Sequence, residues 1–316
     1  MSASAKSNLQ LVQACDSYPY EADASGSYYK LLLPHDDRPH GYMLADIVRK
    51  IPWTTDFEVR DEERTVQLRD ASDGKDTSAV CDAAFSEVVT RIVDQDLFEV
   101  VHGQHSELFQ VLSAKYPVKI ERFAAPLFGI VSRGAHLTAY VRTSTGMKIW
   151  VPRRSSNVKS FPNMLDTTVA GGIRAGESPF ETIIHEADEE ASLPADLLRR
   201  EVVSSGTLTY ISTSGENDIG ETGLVVPDIV YVYDIELKED VVPKPRDDEV
   251  KEFYLLGIEE VKKCLANSEF KTNCAVVMID FFIRHGIVTA DNDEDLVEIC
   301  QRMHRRLPFS TFKEHN

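Results

Sequence analysis

The sequence offers no sulfur framework. Its five cysteines, Cys15, Cys81, Cys264, Cys274 and Cys300, are odd in number, scattered, and never form a C-x-x-C pair. That pattern indicates neither a zinc site nor a disulfide scaffold, and it fits a reducing compartment. Long apolar runs are also missing: none approaches the roughly 20 residues needed to cross a bilayer. The most apolar stretch, Cys274–Val288, is interrupted by Asp280, Arg284 and His285 and reads as a buried helix. The start, MSASAKSNLQ, is polar and lacks the apolar segment of a secretory signal, so a cytoplasmic protein is expected. Positive charge is scarce. Lys and Arg number 34 against 52 Asp and Glu, a formal net charge of −18. This argues against non-specific nucleic-acid binding, which needs a basic footprint, and against anionic membrane surfaces. An anionic substrate would need local cations to overcome the global field. There is no internal repeat and no low-complexity tract.

What is present suits a soluble globular protein, with 42% apolar and 27% charged residues over 316 positions, enough for two ordinary domains. Residues 1–125 form a first block. Asn8–Asp16, Met43–Lys50 and Thr77–Asp94 read as helices, Tyr28–Leu33 as a strand, and Phe57–Arg60 with Thr65–Arg69 as a hairpin. PHDDRPHG reads as a turn, and Phe98–Val101 and Leu108–Leu112 give weaker signals. Nothing in this block looks catalytic. His35, His40, His102 and His105 lie in loop-like sequence without metal-ligand spacing, so structural or surface roles are expected.

From about Ala124 the pattern becomes dense in strands. Phe128–Ser132, His136–Arg142, Lys148–Val151, Thr207–Thr213, Ile229–Leu237 and Phe253–Leu256 alternate or are β-branched, the fifth reading as central. Glu259–Ala266, Thr272–His285 and, in the tail 291–316, Asp295–Arg305 read as helices. The polar STSGENDIGETGL is a candidate substrate lid.

The most informative stretch is Gly171–Leu193, GGIRAGESPFETIIHEADEEASL. Its glycines mark a loop. Ser178-Pro179-Phe180-Glu181 then reads as a helix start, with Ser178 as N-cap, Pro179 at the first helical position and Glu181 closing a capping box. At about 100° per residue, Glu186, Glu189 and Glu190 share one face, offset from the apolar stripe. Like charges at that spacing repel. Hard divalent cations, which take carboxylate and phosphate oxygens, are the natural compensation. An ordinary solvated acidic face is the plainer reading of such a helix taken alone. Upstream, Arg153, Arg154 and Lys159 form a basic cluster in an acidic protein. They suit either uncovered phosphate oxygens or a charge-blunted strand edge. Trp150 suits stacking on a heterocycle or plain burial.

The whole segment resembles the Nudix box, G-x5-E-x7-R-E-U-x-E-E-x-G-U, with Gly171, Glu177, Glu186, Ala187, Glu189, Glu190 and Leu193 in register. His185 replaces the box arginine, whose ion pairing a histidine reproduces only in part. Ser192 replaces the second glycine, losing an easy left-handed helix end. The resemblance implies an α/β class chain: a Nudix α/β/α sandwich around a mixed sheet over 126–290, preceded by a smaller α+β accessory domain over 1–125. KIWVPRRS, FETIIHEADEEASLP, PDIVYVYDIEL, DDEVKEFYLL, FKTNCAVVMIDFFIRHG and HGYMLADIVRKIPW resemble one fungal and plant branch of the superfamily, often labelled thiamine pyrophosphokinase-related. That branch implies Mg2+-dependent (or Mn2+-dependent) hydrolysis of thiamine diphosphate analogues, preferring oxidatively damaged forms, to the monophosphate: a repair reaction. No room for a kinase domain is expected before Asn316.

By the same resemblance Glu186, Glu189 and Glu190 hold metal, with a carbonyl near Ala170, and Glu177 orients the box. Glu189 is the favoured base and Glu249 the reserve. Arg153, Arg154, Lys159, Gly171 and Gly172 are the candidate substrate-binding positions. The expected partner is a small-molecule diphosphate, with a homodimer compatible. Hydrolysis of nucleoside diphosphate derivatives, a non-catalytic diphosphate-binding module, and a scaffold recruiting partners through its first block remain open alternatives.

Overall fold

The computed structural model describes residues 5–20, 28–215 and 220–312. The chain opens with α1 (Asn8–Cys15), capped by Ser7, whose Oγ accepts from the Gln10 amide. Then come β1 (Tyr29–Leu33), β2 (Asp36–Met43), α2 (Ala45–Lys50), β3 (Phe57–Arg60), β4 (Thr65–Leu68) and the long α3 (Thr77–Asp94). The strands form a sheet of order β2-β1-β4-β3, with β1 and β4 parallel and the other pairs antiparallel. The apolar stripe of α3 (Cys81, Ala84, Phe85, Val88, Val89, Ile92) joins Leu31, Leu33, Val66 and Leu68 in one buried core.

PHDDRPHG is not only a turn: Asp36–Met43 is a strand. Its Pro39 is tolerated because β2 is an edge strand whose register with β1 shifts there. Its charges are mutually bound, with Arg38 donating to both Asp36 oxygens at 2.7 and 2.8 Å and His40 lying 3.1 Å from the same carboxylate.

A 3-10 turn (Glu99–Val101) and a short hairpin, β5 (Leu108–Gln110) with β6 (Lys119–Glu121), lead into the second half. Ala125–Phe128 is a further 3-10 turn and no strand runs from Phe128, since Pro126 fits a tight turn and β7 starts only at Ser132. The second sheet comprises β7 (Ser132–Thr143), β8 (Gly146–Arg154), β9 (Val169–Gly172), β10 (Val203–Thr213), β11 (Val225–Glu236) and β12 (Val250–Gly257). Its order is β10-β11-β7-β8-β12, with β9 also on β7; β11 and β7 run parallel, so the sheet is mixed.

Alternation along β7 divides its side chains between two helical layers. Ala135, Leu137, Ala139 and Val141 face α4 (Pro179–Ala191) and α5 (Ala195–Glu201). Tyr140, with Val230 and Val232 of β11, meets the layer of α6 (Ile258–Ala266), α7 (Thr272–Arg284) and α8 (Leu296–Met303). α1 packs in this second layer although it begins the chain. A buried ion pair fixes it there, Arg305 Nη1 to Asp16 Oδ1 at 3.0 Å.

The feature that positions the site is a fork. The first half of β7 pairs with β9 (Gly134↔Gly172 to Leu137↔Val169), the second half with β8 (Tyr140↔Ile149 to Thr143↔Gly146). β9 and β8 therefore diverge, and a cleft opens where they part. Among the described residues no helix is long and apolar enough to cross a membrane.

Candidate active site

The box helix α4 begins as its residues dictate. Ser178 Oγ accepts from the Glu181 amide at 3.2 Å and Pro179 occupies the first turn. Glu181 does not reach back to complete the box; both its oxygens bind Arg199, at 2.9 and 3.0 Å. Thr182, Ile183, Ile184, Ala187 and Ala191 are buried against the sheet, and Glu190 is buried with them. The helix still ends left-handed without glycine: Ser192 has φ 53°, and its Oγ donates to the Lys244 carbonyl at 2.9 Å.

Gly171 and Gly172 lie in strand β9 rather than in a loop. Hydrogen bonding to β7 holds them extended, and two neighbours demand the missing side chains. A Cβ on Gly171 would stand 2.3 Å from Glu186 Oε1, and one on Gly172 would stand 2.7 Å from the Phe109 ring.

The cleft at the fork has a volume of 510 Å³. Glu186, Glu189 and Glu190 enter it from α4, Ala170, Gly171 and Gly172 from β9, and Asp247, Asp248 and Glu249 from the loop before β12. Glu190 is 6% exposed and accepts from the Ala170 amide at 3.1 Å. Burial, reinforced by Glu189, pushes the Glu186 carboxyl up to about 7. Burial, then Asp166 and Glu186, push Glu190 well above the carboxylate range. An all-oxygen set of crowded acids whose charges raise one another is chemically suited to a hard divalent cation.

The cations are sorted less simply. Arg154 and Lys159 line the cleft, Arg154 bound to Asp166 at 3.0 Å. Arg153, the neighbouring residue on β8, is turned elsewhere: it donates to the Asn163 carbonyl at 2.7 Å, stacks on Tyr254 and does not line the cleft. Glu177 also lies outside the cleft lining, held by His185 Nδ1 at 2.5 Å and by Thr182 Oγ1 at 3.0 Å. This contact joins the box helix to its leader. Trp150 is buried in the α4 core. The candidate lid loop falls partly outside the described residues, at 216–219. Its described end anchors on the first block, where Glu221 accepts from the Glu99 and Val100 amides at 2.8 and 3.3 Å.

Lys271, from the start of α7, and Arg174 line the cleft without having been singled out in the sequence. The larger correction concerns the first block. His102, Glu107, Arg122 and Phe123 form one wall of the same cleft. Glu107 ties that wall to the box leader through Arg122 at 2.6 Å and Arg174 at 2.7 Å, and the Ala175 amide donates to the Leu108 carbonyl at 2.8 Å. No spacing rule could show this; the glycine at 172 was the only local sign of a close neighbour.

Beneath the cleft His136, Asp166 and Cys274 bring ligand atoms within 4.8 Å of one another, all buried. They are satisfied internally: Cys274 Sγ donates to Asp166 at 2.6 Å and His136 Nδ1 meets Thr167 Oγ1 at 2.9 Å. Burial, then Lys271, hold His136 down to about 4, neutral in the physiological range.

A mixed sheet between helical layers, with an acid-bearing helix at its fork, is the architecture of a Nudix hydrolase domain, and residues 133–274 match the NUDIX domain family. That region is thus similar to the NUDIX domain family, and the chain is similar to named Nudix hydrolases. It is 33% identical over 320 residues to Uncharacterized protein YJR142W of Saccharomyces cerevisiae, covering 96% of this chain and 92% of that protein. It is 34% identical over 211 residues to Nudix hydrolase 20, chloroplastic, of Arabidopsis thaliana, and 32% over 197 residues to Nudix hydrolase 24, chloroplastic, of the same plant. Those alignments cover 66% and 61% of this chain, and the chain spans about half the length of either plant protein, 54% and 52%.

Proposed function

We propose that the cleft hydrolyses a small-molecule diphosphate X–P–P to X–P and phosphate, and that X is a thiamine-type group, its oxidised forms preferred. The carrying observation is the crowd of raised carboxyls at Glu186 and Glu190, facing cations that suit phosphate oxygens. Glu186, Glu189 and Glu190, with the main chain at Ala170, would hold Mg2+ or Mn2+. When bound, such ions neutralise the diphosphate and acidify a coordinated water. Arg154, Lys159 and Lys271 bind the phosphate oxygens left uncovered. Glu189 accepts the proton of the attacking water, with Glu249 as the second carboxylate in reach of that role. Gly171 and Gly172 let Glu186 and the first-block wall close on the substrate. Glu177 positions the box through His185 and Thr182.

The thiamine assignment is supported by the resemblance of most of the chain, with HGYMLADIVRKIPW in the first block, to the branch described above. We assign residues 1–125 as an accessory domain, 126–290 as the Nudix domain and 291–316 as a tail, and place the protein in the cytoplasm. The test is phosphate release by the full chain with Mg2+, against an EDTA control, over thiamine diphosphate, its oxo and oxy analogues, ADP-ribose and nucleoside diphosphates. Release from the thiamine series above all others is expected. Release from nucleotides alone would replace the substrate class. No metal-dependent release from any of them would leave a binding module.

A further inference from the structure

A second cavity, of 310 Å³, adjoins the acidic cleft across β9, sharing His102, Phe123, Ala170, Gly171, Gly172 and Lys271 with it. Its size falls at the small end of ligand pockets and suits one or two rings. Its character is different from that of the cleft. Phe109, Phe123 and Tyr210 give it aromatic walls, Val100, Pro126 and Val230 add apolar surface, and Arg122, Arg133 and Lys271 also line it. One carboxyl stands among them, Asp228 of β11. Among the described residues no hydrogen-bond donor is bound to that carboxylate. Burial pushes Asp228 up to about 7, with only Lys271 pulling the other way. Asp228 is half-buried, and an acceptor partly withdrawn from water without a donor favours a ligand that supplies one.

We propose that this recess receives the organic group of the substrate, a flat nitrogen heterocycle that presents N–H donors to Asp228 and packs on Phe109 and Phe123. The proposal rests on reading the neighbouring cleft as a diphosphate site. It gives residues 100–126, which lie outside the matched 133–274, the task of selecting X. His102 and Phe123, edge-to-face at 4.9 Å, line both the recess and the cleft. The occupant is a heterocycle rather than an aliphatic chain because a carboxylate without a hydrogen-bond donor beside aromatic walls rewards a donor edge on a stackable face.

The test is calorimetric titration of the full chain, in EDTA, with unphosphorylated probes: thiamine, its oxo analogue and adenosine, with ribose as the non-aromatic control. At least one heterocycle should bind and ribose should not. Asp228→Asn and Phe123→Ala should each weaken that binding about tenfold or more. Asp228→Asn should at the same time raise the thermal midpoint at pH 8, because it removes a charge held in the fold without a donor. Damage to the fold would lower it. No binding by any heterocycle at millimolar concentration, wild-type affinity in Asp228→Asn, or a midpoint that falls with the affinity would overturn the proposal. Phosphate release is read separately. A chain that binds a heterocycle through Asp228 but cleaves none of the corresponding diphosphates refutes the hydrolytic reading and keeps this one.

Discussion

The two walls of the cleft differ in how complete their electrostatics are. On the first-block wall the lining acid is satisfied: Glu107 holds Arg122 at 2.6 Å and Arg174 at 2.7 Å. On the Nudix wall Glu186 and Glu190 repel one another and are pushed up by burial, with one amide, that of Ala170, bonded to Glu190. A finished network fixes shape. An unfinished one stores a demand for charge that a ligand answers. Changes on the Nudix wall should therefore act on turnover, and changes on the other wall on binding.

The sharpest break falls on Glu189. Glu189→Gln keeps shape and removes the proposed proton acceptor. Turnover should drop by roughly 10²–10⁴, with KM moving little, as expected when an interaction is lost only in the transition state. A variant within threefold of wild type in steady-state phosphate release would move the base to Glu249.

Next in size is the stability of the metal-free protein. Glu186 titrates at about 7 in the fold against an ordinary 4.5, and Glu190 is displaced in the same direction. For acids raised in this way the favourable contribution is complete below about pH 4.5 and is lost as pH climbs through about 7. In EDTA the thermal midpoint should fall between pH 5 and pH 8. Mg2+ should restore it, and by more at pH 8 than at pH 5. Equal Mg2+ shifts at both pH values would mean that the ion binds elsewhere.

The other wall is probed from β9, through the contact of Gly172 with Phe109. Gly172→Ala places a Cβ 2.7 Å from the Phe109 ring, an overpacking that costs about 1–3 kcal/mol. Phe109 must shift, and the recess with it. KM for the heterocyclic diphosphate should rise severalfold while kcat changes less. A kcat loss with unchanged KM would contradict the division of labour between the walls.

The same division explains what could be read in advance. The box helix was legible because its signals are local: an N-cap, a proline, a helical stripe and the acids all fall within Gly171–Leu193. Glu249 could be suspected only through the resemblance to the Nudix family, since nothing local in the sequence ties it to the box. The other wall could not be foreseen, since Glu107 and Arg174 are 67 residues apart and neither carries a pattern. Strands β2 and β9 were hidden by Pro, Gly and Asp, residues that argue for turns until a neighbouring strand supplies the hydrogen bonds. Arg153 and Arg154, equal in the sequence, are separated by the alternation of β8, one toward the cleft and one onto Tyr254.

The smallest effect is expected where the box departs from its pattern but leaves nothing unsatisfied. Ser192 sits at φ 53°, a conformation glycine adopts freely. Its strain, about 1 kcal/mol, is opposed by the hydrogen bond to the Lys244 carbonyl, itself worth about 0.5–1.5 kcal/mol. Ser192→Gly removes both, so denaturant unfolding should change by less than about 1 kcal/mol, with turnover near wild type. The bond also ties the helix end to the segment leading toward Glu249. A loss of turnover well beyond that small stability change would show that the Nudix wall needs this tether to keep its carboxylates in register.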